Sequence, residues 1–251
     1  MPHPREAKTI ILRIVARWLG MAPEEARRLV IRHVKGYRIA FRPKTSDEEV
    51  LAQAFQGDIL AHVPEFTPRL TDVVLDVGAH LGGLSLLVAP RVKHVYALEP
   101  RKDTFALLRL NLLLNFASNI SAERLALSDN NGQCKLFYAP DGMSWGDSIV
   151  FDHSRKSETV PCLSLSKFCD QRKITKIHFA KFNCEGAEFP ILLSSDRRTL
   201  SVIEKMLVLY HCDLAPETSE KSITRHLEEC GFRTTVRNRT AIRGWIIAER
   251  V

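Results

Sequence analysis

Two glycines and two acids raise the first chemical question in this sequence. Asp76, Gly78 and Gly82 form the pattern D-x-G-x-x-x-G at the end of one apolar run and the start of a helical one. Glycines in such a place let the backbone pass close to a ligand while amide groups point at it. A dinucleotide site asks for G-x-G-x-x-G, and Gly78, Gly82 and Gly83 stand at the wrong spacing, so a nicotinamide cofactor is disfavoured. Glu99 ends the next apolar run, seventeen residues beyond Gly82, where a carboxylate can accept hydrogen bonds from both hydroxyls of a ribose.

These residues need a scaffold that brings strand ends together. From Asp72 onward the chain alternates short apolar runs with helical stretches, the pattern of strands buried on both faces of a parallel sheet. The expected strands are Val73 to Val77, His94 to Glu99, Ile120 to Leu127, Ile177 to Asn183 and Val202 to Tyr210. The expected helices are Gly83 to Ala89, Lys102 to Asn115, Leu165 to Arg172, Ala187 to Ser194 and Ser219 to Cys230. Phe232 to Arg237 and Ala241 to Glu249 flank Asn238-Arg239-Thr240 and read as a closing antiparallel hairpin or edge strands. The whole is a doubly wound α/β fold over residues 71–251. An insertion at about residues 133–160 breaks the alternation, with a short strand Cys134 to Tyr138 and the turn-rich Asp141 to Gly146. Loops of that length are usually lids or binding segments.

Residues 1–70 read as a helical extension or cap: Ile10 to Leu19, then Glu24 to Val34 behind Pro23, then Asp47 to Phe55 capped by Ser46. Up to Lys44 it carries eleven Lys and Arg against Glu6, Glu24 and Glu25, a balance of +8 in a chain whose total is +7. The basic character therefore belongs to the extension. It fits a solvated helix face, or attraction to an anionic substrate or peripheral contact with an anionic membrane. Nucleic acid is disfavoured because no aromatic residues interleave with the charges. The run Thr9 to Gly20 is too short for a span and is interrupted by Arg13 and Arg17, and no small-residue cleavage site follows it. Six cysteines without a CxxC pair read as buried free thiols, and the expected compartment is the cytoplasm.

Several motifs in order carry a family resemblance: Thr45-Ser46-Asp47 with Gln53 and Phe55, Leu75-Asp76-Val77-Gly78-Ala79-His80-Leu81-Gly82, Ala97-Leu98-Glu99-Pro100, Ala126-Leu127-Ser128-Asp129, and Lys181-Phe182-Asn183-Cys184-Glu185-Gly186-Ala187-Glu188. On these the chain resembles the FkbM family of class I S-adenosylmethionine-dependent methyltransferases. The resemblance implies a Rossmann-like seven-stranded sheet with an antiparallel final strand and the cofactor across the strand C-termini. It implies a hydroxyl acceptor on a sugar, glycan or small secondary metabolite. Carried over, Asp76, Gly78 and Gly82 border the methionine part, with Ala79 and His80 in the same loop. Glu99 and Pro100 border the ribose, and Leu127 and Ser128 the adenine.

Two positions depart from the family. Asn183 stands where an aspartate is usual, and Leu209 where Glu-x-His is usual before His211. An amide can hold the cofactor's amino group or orient a nucleophile but cannot take a proton. Without those acids a hard divalent cation lacks ligands, and no metal is expected. A hydroxyl acceptor needs a base, and the candidates are Glu185, Glu188 and His211. His211 is favoured because an unperturbed imidazole titrates near neutrality, with Glu185 orienting substrate or cofactor. Trp145 in the insertion offers a platform for a sugar ring or a packing side chain. Two further readings stay open: a cofactor-binding partner or scaffold with weakened catalysis, and methylation of nitrogen.

Overall fold

Apolar runs too short for helices and too evenly buried for surface strands assemble the centre of the molecule. The computed structural model describes residues 13–55, 66–140, 144–152, 156–215 and 218–251. Its main sheet runs β11-β12-β10-β9-β3-β4-β5. The parallel strands are β3 (Val73–Val77), β4 (His94–Leu98), β5 (Ile120–Glu123), β9 (Phe179–Phe182) and β10 (Lys205–His211). β12 (Arg243–Arg250) enters antiparallel between β10 and β11 (Phe232–Arg237). The closing hairpin is therefore present, and the last strand is internal while β11 forms the edge.

Alternation along each strand divides two apolar layers. Val74, Val95, Phe179 and Leu207 pack on one face with α3 (Gly83–Val88), α4 (Lys102–Leu114) and the N-terminal extension. Leu75, Leu98, Phe182 and Val208 pack on the other with α5 (Leu165–Arg172), α6 (Glu188–Leu193) and α8 (Glu220–Glu229). A short α7 (Arg197–Leu200) precedes β10. The register matters most for function. Val77 pairs with Leu98 on one side and Phe182 on the other, so the next residues, Gly78, Glu99 and Asn183, leave the sheet side by side. On the antiparallel side His211 pairs with Arg243.

The extension differs from the all-helical expectation. Residues 13–18 are helical, residues 10–12 of the expected first helix lie outside the described residues, and α1 covers only Pro23–Arg28. Val30–Val34 (β1) then pairs antiparallel with Tyr37–Phe41 (β2). The β-branched Val30, Ile31 and Val34 favour a strand, and Lys35 (φ 47°) and Gly36 (φ 86°) supply the two left-handed residues of a tight hairpin turn. α2 (Asp47–Phe55) follows as expected, and Thr45 Oγ1 accepts the Asp47 amide. Residues 56–65 of the extension lie outside the described residues.

Beyond β5 the expected single strand Ile120 to Leu127 divides in two. Arg124 turns away to bond Pro100 O and Glu158, and Ala126–Leu127 (β6) joins a separate sheet with β8 (Ser157–Leu163) and β7 (Gly132–Phe137). The expected insertion is thus mostly a β7–β8 hairpin, and β8 was not legible as a strand. Residues 141–143 and 153–155 of its connection lie outside the described residues. Among the described residues no helix is long and apolar enough to cross a membrane.

Two asparagines one helical turn apart, Asn111 on α4 and Asn115 at its C-cap, bind β2 to the core. Asn111 takes the Ala40 amide on its Oδ1 at 2.7 Å and gives its Nδ2 to Ala40 O and Leu81 O. Asn115 does the same for the amide and carbonyl of Arg38. The amides stand where another strand would hydrogen-bond the edge of β2. Losing one leaves buried backbone groups without partners, at about 1–3 kcal/mol per group. Asn111→Leu is expected to cost roughly 2–4 kcal/mol in urea unfolding, and half-exposed Asn115→Ala about 1 kcal/mol. Equal, small losses at both would mean that the extension is held by apolar contact alone.

Candidate active site

The strand ends open into a cavity of about 490 Å³. Asp76, Gly78, Ala79, His80, Glu99, Pro100, Asn183, Glu185 and His211 all line it. These residues come from four strand ends, and the register brings them together. Gly82, Leu127 and Ser128 do not line it. Gly82 caps α3 behind the wall and faces Leu108. Leu127 is buried in the core, and Ser128 Oγ turns to Asp129 while its amide donates to Leu163 O. Leu136 and Asp147 of the β7–β8 excursion reach the cavity from that side of the sheet.

The glycine loop is held by a charge beneath it. Asp76 and Lys181 are partners across β3 and β9, and Lys181 Nζ lies 3.1 Å from Asp76 Oδ1 and 2.7 Å from Gly78 O. Ser85 Oγ donates to the other Asp76 oxygen at 2.7 Å. Gly78 has φ 75°, and a Cβ on it would lie 2.0 Å from Asn183 O, so only glycine permits this approach of loop and strand end. Lys181 belonged to a motif but received no role from the sequence. Its signal was a lysine inside the otherwise apolar run Phe179-Ala180-Lys181-Phe182.

Glu99 accepts the His80 amide at 3.0 Å and the Arg101 amide at 2.9 Å. Burial pushes its carboxyl up to about 7, against the pull of these two amides and with help from the Asp147 charge. His80 occupies a left-handed corner (φ 51°), and burial holds its imidazole down at about 4, so it is neutral and structural. Its Nε2 lies 3.7 Å from Asp47, whose carboxylate holds Arg42 through two side-chain bonds of 2.9 Å. One of the extension's arginines is therefore internal, and α2 contributes Glu49, Val50, Gln53 and Ala54 to the cavity wall.

The opposite wall is a chain of charges. His211 is fully buried, with Nδ1 2.8 Å from Glu188 Oε1 and Nε2 3.3 Å from Glu185 Oε1. Burial opposes its charge, but the contacts with Glu185 and Glu188 outweigh burial and raise it to about 10. The expectation of an imidazole titrating near neutrality is corrected here: between two carboxylates it is an imidazolium, hydrogen-bonded to Glu188 through Nδ1 and in ion-pair contact with Glu185 through Nε2. Glu188 also accepts the Gly186 amide, and Ser148 Oγ of the excursion donates to Glu185 O at 2.7 Å. Glu185 (φ 51°) and Gly186 (φ 93°) form a left-handed corner that turns the Glu185 side chain to the cavity.

Buried polar atoms of cavity-lining residues without a hydrogen-bond partner among the described residues include Asn183 Oδ1, Glu185 Oε2, Trp145 Nε1 and His211 Nε2, the last of which makes only an ion-pair contact with Glu185. Buried polar groups in this state are open to the donors and acceptors of a ligand or of ordered water. Leu209 lies opposite Trp245 in the β10–β12 pairing, and both line the cavity. Arg243, paired with Asp213 at 2.8 Å, sits 5.8 Å from the Trp145 ring centroid. Arg243, Trp245 and Asp147 were not found from sequence, since only the antiparallel register and the excursion bring them here. Among the described residues no cluster of three His, Cys, Asp or Glu side chains is arranged to hold a metal ion.

Comparison with solved structures finds similarity to TYW2 of M. jannaschii in complex with AdoMet, at 12% identity over 89% of this chain and 87% of that one, with a TM-score of 0.48. An rRNA methylase from Streptococcus thermophilus is similar at 14% identity over 78% and 94%, with a TM-score of 0.47. Trm5b from Pyrococcus abyssi is similar at 16% identity over 88% of this chain, with a TM-score of 0.44, and the chain spans 55% of that protein's length. Comparison with curated proteins gives no match. The methyltransferase FkbM domain model matches residues 76–234, from the Asp76 of the glycine loop through to β11. An acid-and-glycine loop, a ribose-competent carboxylate and an orphaned amide at adjoining strand ends fit that match, and the chain belongs to the FkbM family of S-adenosylmethionine-dependent methyltransferases.

Proposed function

We propose that the acceptor is a hydroxyl group on a sugar, glycan or small metabolite, and that Glu185 receives its proton. The observation that carries this reading is Glu185 Oε2, buried at the cavity and without a hydrogen-bond partner among the described residues. A hydroxyl nucleophile needs such an acceptor within hydrogen-bond reach as its bond to carbon forms. His211 lies 3.3 Å from the other carboxylate oxygen and, being charged, offsets one of the two adjoining negative charges. Trp145 and Trp245 offer apolar faces, and Trp145 Nε1 a donor, to a ring that carries hydroxyls.

When bound, S-adenosylmethionine supplies a methyl group activated by the adjoining sulfonium. Glu99 would hold the ribose, Asn183 Oδ1 the amino group, and the backbone at Gly78 would border the methionine part. Alignment in a closed site supplies much of the acceleration, so the residues mainly orient and exclude water. All six cysteines are free thiols, which supports the cytoplasmic reading.

Calorimetry is expected to detect S-adenosylmethionine or S-adenosylhomocysteine and no NAD. Glu99→Gln should weaken binding by about 1.5–3 kcal/mol, the range for hydrogen bonds to a charged group. Because the ribose is bound by the carboxylate form, affinity should fall as pH drops below about 7. The Gln variant should lack that dependence, and a pH-independent wild type would remove Glu99 from the ribose.

Labelled-methyl transfer to panels of sugars, phenols and amines tests the acceptor, and transfer confined to amines would overturn a hydroxyl substrate. Glu185→Gln should lower kcat by about 10²–10⁴, the usual worth of a general base, with cofactor affinity preserved. His211 adds a pH signature. Its stabilising contribution is complete below its ordinary 6.5 and is lost as pH rises through about 10. Unfolding free energies of wild type and His211→Gln should therefore converge toward high pH. A rise of kcat near pH 6.5 that disappears in His211→Gln would return the role of base to His211.

A further inference from the structure

The helix over residues 13–18 is built with its apolar side outward as well as inward. Ala16 and Leu19 are buried in the core cluster that also holds the extension. In a helix of about 3.6 residues per turn, positions two before and two after a buried residue fall on the opposite side. Those positions are Ile14 and Trp18, and they are 60% and 78% exposed. A solvated helix carries its charges at the outward pole. Here the outward pole is a tryptophan and an isoleucine one turn apart, with Arg13 and Arg17 along its flank.

The same composition recurs just downstream. Arg27 and Arg28 are exposed at the end of α1, and on β1 Val30 and Ile31 are 40% and 41% exposed. Arg32, Arg38 and Arg42 are committed elsewhere: to Glu48, to Leu114 O and to Asp47. Arg17, Arg27 and Arg28 have no ion-pair partner among the described residues.

We propose that this face docks on an anionic lipid bilayer, with Trp18 and Ile14 entering the boundary between headgroups and acyl chains and Arg13, Arg17, Arg27 and Arg28 meeting lipid phosphates. An indole fits that boundary because its body is apolar and its N–H is polar. The arginine stems cover apolar surface while their heads reach phosphate. A nucleic acid would be met by charge at the pole or by a series of stacking rings. This face has a single exposed indole in their place.

Flotation of the full chain with phosphatidylcholine vesicles, with and without phosphatidylglycerol, tests the assignment. Binding is expected only to the mixed vesicles, reduced about tenfold by Trp18→Ser and by Arg13→Glu with Arg17→Glu, and weakened by salt. Cofactor binding measured by calorimetry should be unchanged in both variants, which establishes that they are folded. Absence of binding to the mixed vesicles overturns the proposal, as does binding that ignores Trp18→Ser. A vesicle-free dimer abolished by Trp18→Ser would make the face an interface between copies. Displacement by duplex RNA that is indifferent to Trp18→Ser would make it a nucleic-acid surface, and either result overturns the membrane assignment.

Discussion

A lysine ammonium buried beneath the glycine loop is the constraint around which the site is arranged. Lys181 can occupy the sheet interior only with oxygens around it, and it has Asp76 Oδ1, Val77 O and Gly78 O. Two of the three are backbone atoms of the loop, so satisfying the charge also sets the loop's path. Removing one partner of a buried pair leaves an uncompensated charge, typically at about 3–5 kcal/mol. The contact of Gly78 with Asn183 follows, because both loops must leave adjacent strands within the space the pair allows.

A second charge cluster sits on the far side of the cavity and solves a different problem. Two glutamates side by side in a buried place repel, and a neutral histidine would not relieve them. The imidazolium between them does, and the same contacts raise its pKa. Glu188 also holds the turn before its own helix, so His211, the turn and the start of α6 are one hydrogen-bonded unit, with the Glu185 carboxylate in ion-pair contact with it through His211 Nε2. Ser148 ties this unit to the β7–β8 excursion, which brings Trp145 to the same cavity. The excursion is therefore part of the site's wall, held through Ser148 as well as through its own strands.

The extension is likewise part of the core. Asn111 and Asn115 satisfy the edge of β2, and Arg42 and Asp47 form a buried pair beside His80 of the glycine loop. A segment whose composition suggests a basic appendage thus has an inner layer that supports the cofactor loop and an outer layer that keeps its charge. The +8 balance hides this division, because it counts Arg42 in the same way as Arg17.

Local chemistry made the loop from Asp76 to Gly82, the carboxylate of Glu99, the helix positions and the α/β class legible in the chain. Glycine placement and strand ends are set by neighbours in sequence, and periodicity reports burial directly. The hairpin Val30 to Phe41 was just as local, and it was missed because its first strand, Val30 to Val34, was read as the end of a helix. The rest depended on partners far apart in the chain. The pairing of Asp76 with Lys181 needs the β3–β9 register, and that of His211 with Arg243 needs the reversed β12. His211 shows the difference most clearly: by residue type it is a base near neutrality, and only two carboxylates brought to it by the fold make it an imidazolium. Residue type and spacing determined which groups are available here, whereas tertiary structure decided their charge states and partners, because those depend on burial and distance that no single segment contains.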